Sequence, residues 1–303
     1  MATKTVALAG ANGPVGKSFA QSILDQGLEL RVLARFESIE SSVLQDLASR
    51  GASVRGISYE DESSIFEALK GVDVLVSTVA PAAMPAQFTL IKAAKAAGVK
   101  LFFPSEYGGT YEDPSNDISP FLQLKKTIIN TAKQFGLPYA VLSTGGFIDL
   151  GLSPVGLNFS EKKVNVWGDG NTKITWTTIS STADWIANVL KTVPIEQLQN
   201  KHLRIQGDAA SVNEIIKLWE QKHNVSITPW SCLSPHLMIF QPWQEKLEVI
   251  YHPTKELEER LDADKNDIFA LILREWALGR GEIGGKDNGL YPAWKPDTVE
   301  SVL

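Results

Sequence analysis

Two hydrophobic periods alternate along the first 145 residues. Thr5–Ala9 is a short apolar run that stops at Gly10. Val15, Phe19 and Ile23 then recur four apart, one face of a helix, with Gly27 as its stop. Leu30–Ala34 is apolar again, and Ile39, Val43, Leu44 and Leu47 return to helical spacing. Val54–Ile57 predicts a strand, and Ile65, Phe66 and Leu69 a helix face. Val72–Val76 predicts a buried strand, and Gln87–Ala97, Ala-rich and free of breakers, a helix. Leu101–Phe103 and Tyr139–Leu142 predict further strands on either side of a helix from about Phe121 to Phe135. Strands alternating with helices, each strand nearly all apolar, predict right-handed βαβ units and a parallel sheet covered on both faces.

After Gly145 the rhythm changes. Gly168-Asp-Gly-Asn171 is a turn signal, Lys173–Thr178 alternates like a strand, and Thr182–Leu190 is helical with Thr182 as a candidate cap. All eight tryptophans lie beyond Gly145, more readily as core than as pocket wall. Gly279–Gly289 reads as a flexible loop before a short tail. Neither a repeat nor a linker is visible. The expected fold is therefore α/β: a doubly wound parallel sheet over residues 1–150, with 165–192 returning to it, and a smaller interleaved substrate region over 151–303.

Composition narrows the function. With 303 residues, 44% hydrophobic and 21% charged, the chain can bury a core without staples. A net charge of −6 disfavours nonspecific nucleic-acid or anionic-membrane binding. The single cysteine, Cys232, excludes an intrachain disulfide and reads as packed rather than reactive. No apolar run is long enough to cross a bilayer, and no leader is apparent, so a cytoplasmic protein is expected, monomer or homodimer. His202, His223, His236 and His252 lack ligand spacing, so no metal is expected. Ser105 and Ser143 have no nucleophile-elbow context, and Glu256–Arg260 reads as a solvated face.

The strongest motif is Gly10-Ala-Asn12-Gly13-Pro14-Val15-Gly16, placed between a strand and a helix. Gly10 permits the tight turn, Gly13 a close approach to pyrophosphate, and Gly16 close helix–strand packing. The helix N-terminus then offers N–H groups and partial positive charge to the phosphates. This reads as dinucleotide binding. Arg35 stands at the end of the second strand, where an acid would bind the ribose hydroxyls of NAD. An arginine suits the 2′-phosphate instead, so NADPH is the expected cofactor, with Glu37 a mild counter-signal.

The GxxGxxG spacing is similar to that of extended and atypical short-chain dehydrogenases. Together with Arg35, Phe102-Phe-Pro-Ser-Glu-Tyr-Gly108, Gly136-Leu-Pro-Tyr139 and Gly168-Asp-Gly-Asn171 before Thr175-Trp-Thr-Thr-Ile179, it resembles the NmrA-like family. Within that family the chain is similar to the isoflavone reductase and phenylcoumaran benzylic ether reductase group, in a fungal rather than a plant form. The resemblance covers roughly residues 4–190 and is loose beyond. It implies a Rossmann fold and places the family's catalytic lysine at Lys125, in Phe121-Leu-Gln-Leu-Lys125, where ordinary short-chain dehydrogenases have a tyrosine four residues earlier. Lys125 would be general acid or base beside the nicotinamide, its proton affinity lowered by an apolar or cationic neighbour. Lys126 would point about 100° away around the helix.

The loops at the strand ends are expected to line the cofactor crevice: Thr78, Val79 and Ala80; Ser105 and Tyr107, with Tyr107 toward substrate; and Thr144, Gly146 and Phe147. Phe147 matches a phenylalanine that borders the nicotinamide in the family. Thr144-Gly-Gly146 replaces the family's small polar run, which is expected to leave more room or fewer hydrogen bonds there and to disfavour plant-type lignans. The resemblance implies an NADPH-dependent reductase of a small aromatic or conjugated carbonyl, enone or benzylic substrate. It leaves open a non-catalytic NADP(H) sensor that engages a protein partner, or a quinone reductase. Lys125 favours an enzyme, because such sensors tend to lack it.

Overall fold

The computed structural model describes residues 3–110, 119–150, 152–223 and 247–303. Cys232, His236, Trp230 and Trp243 lie outside them. The first half runs β1 (Thr5–Ala9), α1 (Pro14–Asp25), β2 (Glu29–Arg35), α2 (Ser42–Ser49), β3 (Ser53–Ile57), α3 (Glu62–Leu69), β4 (Val74–Ser77), α4 (Ala86–Ala96), β5 (Leu101–Phe103), α5 (Pro120–Gln134) and β6 (Ala140–Ser143). It continues through β7 (Gly146–Phe147), β8 (Leu157–Asn158), β9 (Lys163–Trp167), β10 (Ile174–Thr177), α6 (Ile179–Thr192), α7 (Ile195–Leu198) and β11 (Lys201–Arg204). The chain closes with β12 (Asp208–Ala210), α8 (Val212–Lys222), β13 (Glu248–His252), α9 (Lys255–Ala263), α10 (Ile268–Ala277) and α11 (Val299–Val302).

The parallel sheet has the order β3-β2-β1-β4-β5. It is prolonged by a parallel bridge from Phe102 to Tyr139 and by the parallel pair β6–β11. The order reverses between β1 and β4, and that reversal opens a crevice at the strand C-termini. One face is covered by α1, α2 and α6, packed through Phe19, Ile23, Leu44, Leu47, Trp185 and Ile186. The other is covered by α3, α4 and α5 through Ile65, Leu69, Leu90, Ile91, Ile128 and Ala132. Helix α6 lies against α1. A third core joins β8–β10, α8, α9 and α10 around Val164, Trp176, Ile215, Leu257 and Leu271.

Several boundaries differ from the periodicity for local reasons. Val72 is buried but belongs to a turn, its N–H bonded to the Leu69 carbonyl, so β4 starts at Val74. Helix α2 starts at Ser42 because the Ser41 side chain accepts from Leu44 N–H, leaving Ile39 in the preceding turn. Helix α6 is capped by Thr178, not Thr182: the Thr178 side chain accepts from Ser181 N–H, and Thr182 is buried one turn inside. Gly279–Gly289 is not a loose loop. Gly281 carbonyl accepts from Thr175 N–H, Ile283 N–H bonds to Thr175 Oγ1, and Asp287 Oδ2 accepts from Arg204 N–H. In α9 the charged run carries an apolar face, with Leu257 and Leu261 buried. Trp185 and Trp219 pack in cores, whereas Trp176 is both core and cavity wall. Among the described residues no helix is long and apolar enough to cross a membrane.

Candidate active site

The carboxyl ends of the sheet strands open into two joined chambers. The first, of about 940 Å³, is walled by the Gly10–Val15 loop, the end of β2 at Val32–Arg35, Tyr59 and Glu60, Thr78–Ala86 and Ser105–Tyr107. The second, of about 410 Å³, is walled by Gly108–Thr110, Gly145–Phe147, Leu150, Leu152, Trp176 and the inner face of α10. Pro81, Tyr107, Phe121, Lys125, Phe147 and Leu150 border both, so they form the seam.

The glycine loop is shaped by contacts that exclude side chains. Gly10 has φ of +95°, and a Cβ there would meet the Thr78 carbonyl oxygen at 2.6 Å. A Cβ on Gly16 would lie 2.2 Å from the Gly10 carbonyl oxygen, so α1 rests directly on the strand end. Gly13 differs: its nearest protein atom to a Cβ would be 3.6 Å away, an ordinary contact. Protein packing therefore does not require glycine at 13, yet that position faces the first chamber. A ligand approaching the backbone would require it. Helix α1 also starts without a side-chain cap, unlike α2, α3, α5, α6, α8 and α10. Its first-turn N–H groups, which no intrahelical carbonyl satisfies, are left to whatever occupies the chamber. Cradle and uncapped helix together fit a dinucleotide diphosphate.

Asn12, Pro14 and Val15 line this chamber, with Asn12 Oδ1 accepting from Ser41 Oγ at 2.8 Å. Gly16 lies beneath it as packing. Arg35 reaches the wall with 62% of its side chain exposed and pairs with Glu37 at 3.3 Å. Thr78, Val79 and Ala80 follow β4 along the wall, Thr78 Oγ1 donating to the Ala9 carbonyl. Ser105 is engaged elsewhere, its N–H to Gln87 Oε1 and its Oγ to the Val79 carbonyl.

Lys125 is buried at the seam, on the inner face of α5, while Lys126 is half-exposed. Its Nζ lies 3.0 Å from Glu106 Oε2, donates to the Glu106 carbonyl at 3.2 Å, and stands 5.3 Å from the centre of the Phe121 ring. The neighbour is thus a carboxylate, where an apolar or cationic one was expected. An opposite charge at that distance favours the ammonium, the form that gives a proton away.

Two further expectations are corrected. Thr144 is fully buried and lines neither chamber; its carbonyl accepts from Thr177 Oγ1 and its N–H bonds to the Gly108 carbonyl. The glycines after it leave no extra space. A Cβ on Gly145 would sit 2.2 Å from the Thr175 carbonyl oxygen, and one on Gly146 2.8 Å from the Trp176 ring. Trp176 and Thr175 fill what the missing side chains vacate. Tyr107 borders both chambers; its ring lies edge-on to Phe19 at 5.0 Å and its hydroxyl is buried with no partner among the described residues. Burial, and then the Glu106 charge, push that phenol far above its ordinary range. Tyr107 therefore offers an apolar edge rather than an acidic hydroxyl.

The family model described as the NmrA-like family matches residues 2–231. The chain belongs to the NmrA-like family. A phenylcoumaran benzylic ether reductase of Pyrus communis is 30% identical, covering all of this chain and 99% of that protein. A phenylcoumaran benzylic ether reductase of Pinus taeda is 30% identical over 72% of this chain and 74% of its own length. The binary complex of leucoanthocyanidin reductase and NADPH from Vitis vinifera superposes with a TM-score of 0.78 at 21% identity, over 98% of this chain and 97% of that one. That similarity establishes the fold.

Two parts of this NmrA-like site escape a reading by motif. Glu106 lies in the quoted Phe102–Gly108 run, two residues before Gly108, and an acid just past a strand end was the available signal. The wall contributed by α10 and the following turn (Ile268, Phe269, Ile272, Glu275, Trp276 and Arg280) had none. Those residues follow ordinary helix periodicity, and nothing local distinguishes a cavity face from a core face.

Proposed function

We propose that this protein is an NADPH-dependent reductase of a small aromatic or conjugated substrate bearing an oxygen at or next to the reacting carbon. The observation that carries this reading is a buried ammonium, Lys125, at the seam between a dinucleotide-shaped chamber and an apolar one. Gly10–Val15 and the first turn of α1 would hold the diphosphate, Arg35 the 2′-phosphate, and Thr78–Ala80 the stretch leading to the seam. When bound, the cofactor supplies hydride to a substrate carbon. Lys125 gives a proton to the substrate oxygen as charge develops there, which suits a group held as the ammonium. Phe121, Phe147, Trp176 and Trp276 give an aromatic ring flat apolar surface and exclude water from the seam. The relatives' names and the NADPH in the grapevine complex support the same reading.

The test is turnover. The protein is mixed with NADPH and a panel of aromatic aldehydes, enones, quinones and dilignols, and loss of the reduced nicotinamide absorbance is followed. Lys125→Ala is expected to cut kcat by about 10²–10⁴-fold and to leave the NADPH dissociation constant unchanged. Tight NADPH binding with no turnover of any panel member, together with capture of a protein partner, would favour a sensor instead.

A further inference from the structure

Glu106 has no role in the assignments above, yet it is among the most constrained groups of the site. It is 7% exposed and borders the first chamber. It holds Lys125 at two points, Oε2 and its own carbonyl oxygen, 3.0 and 3.2 Å from Nζ. Its second carboxylate oxygen, Oε1, is buried with no hydrogen-bond partner among the described residues. A buried ion pair is weak evidence for stability, because desolvation offsets the attraction. A half-satisfied one is weaker still, since the orphaned oxygen carries its own penalty. Fold stability alone therefore does not account for an acid here.

We infer that Glu106 is the positioning residue of Lys125. Its carboxylate fixes the direction of the ammonium at the seam and keeps it in the proton-donating form through the neutral range. The inference rests on the reductase reading of Lys125. Among the described residues, the other charged groups on the walls Lys125 shares are Arg35 and Glu60 beyond β1 in the first chamber and Glu275 and Arg280 in the second. Glu275 and Arg280 pair with each other at 3.2 Å. Lys126 adjoins Lys125 on α5.

Glu106→Gln keeps the volume and an oxygen acceptor for Nζ but removes the charge. Two measurements follow. In the first, without cofactor, the rate at which Lys125 is acetylated is recorded across pH, with its peptide quantified by mass spectrometry. The Gln variant should reach half-maximal rate about 1–3 pH units lower than the parent. In the second, the basic limb of the kcat/KM profile should move the same way, with NADPH affinity unchanged and Glu106→Asp restoring most of both. The sign follows from the charge: without the carboxylate the ammonium loses its proton at lower pH, so an activity that needs it falls earlier. A folded Gln variant whose Lys125 titrates as in the parent overturns the inference. If the Gln variant does not fold, Glu106→Asp, with a longer ion pair, should give a smaller shift in the same direction, and none would overturn it. Failure of the parent to reduce any substrate sinks the reductase reading, while the acetylation experiment still decides what Glu106 does to Lys125.

Discussion

The two chambers that meet at Lys125 are built by opposite means. The first presents much backbone and many small side chains, glycines, alanines and prolines from the Gly10–Val15 loop and the Thr78–Ala86 stretch, with Arg35, Tyr59 and the seam residues completing it. The second presents large side chains drawn from the α5 helix, the β7 and β10 strands and the α10 helix, spread over more than half the sequence. One wall would recognise a ligand through main-chain N–H groups, and at Gly10 and Gly16 it has no room for a side chain. The other recognises by bulk and flat apolar surface and can be redrawn by exchanging one side chain for another. A scaffold that keeps its first chamber constant and varies its second can retain a cofactor while changing substrates.

The glycine loop provides the most severe test of that contrast. Gly16→Ala places a Cβ 2.2 Å from a backbone oxygen. Overpacking of this kind costs about 3 kcal/mol, roughly a hundredfold in any equilibrium that depends on the loop. Both Tm and NADPH affinity should fall. Gly13→Ala should separate the two effects, since its Cβ meets no protein atom closer than 3.6 Å. Its Tm should match the parent while NADPH binding, read by quenching of tryptophan fluorescence, collapses. Undiminished binding by Gly13→Ala would mean that the backbone at that position is not a ligand cradle.

Arg35→Ala has the next largest effect. Losing a charge-assisted contact should weaken NADPH by about 1–3 kcal/mol, roughly 5- to 150-fold, and leave NADH nearly unaffected. Isothermal titration with both cofactors measures the difference directly. Equal losses would show that the exposed pair with Glu37 at 3.3 Å is all that Arg35 contributes.

The same contrast explains what could be read from the sequence. Backbone recognition needs glycines at fixed local spacing, so Gly10, Gly13 and Gly16 were visible within seven residues. The parallel sheet is legible because the central strands β1, β4 and β5 are buried on both faces and the helices between strands are amphipathic. The second wall is not. Phe269 and Trp276 have the helical spacing of any packed residue, and only the tertiary arrangement decides which face meets a cavity. The Thr144–Gly146 run is illegible locally for the same reason: Thr175 and Trp176, about thirty residues away in sequence, occupy the space the glycines leave. The partner of Lys125 was equally non-local, with nineteen positions separating the two charges.

Phe269 offers the mildest and most selective test. It borders the second chamber but not the first, and it is 41% exposed, so its ring contributes less to the fold than a core phenylalanine. Leu150, 47% exposed, faces the same chamber from the loop after β7. An aromatic substrate entering there would cover part of the exposed Phe269 ring. Full burial of such a side chain is worth about 1.5–3 kcal/mol, so covering the exposed fraction contributes about 1 kcal/mol, roughly fivefold in affinity. Phe269→Ala should therefore raise KM for an aromatic substrate by about that factor, with kcat and the NADPH dissociation constant unchanged and Tm lowered only slightly. Phe269→Trp should lower KM if the rim is selected for flat apolar surface. If Phe269→Ala instead weakened NADPH as much as substrate, the chambers would be one continuous site, and a division of labour between backbone and side-chain recognition would not describe this protein.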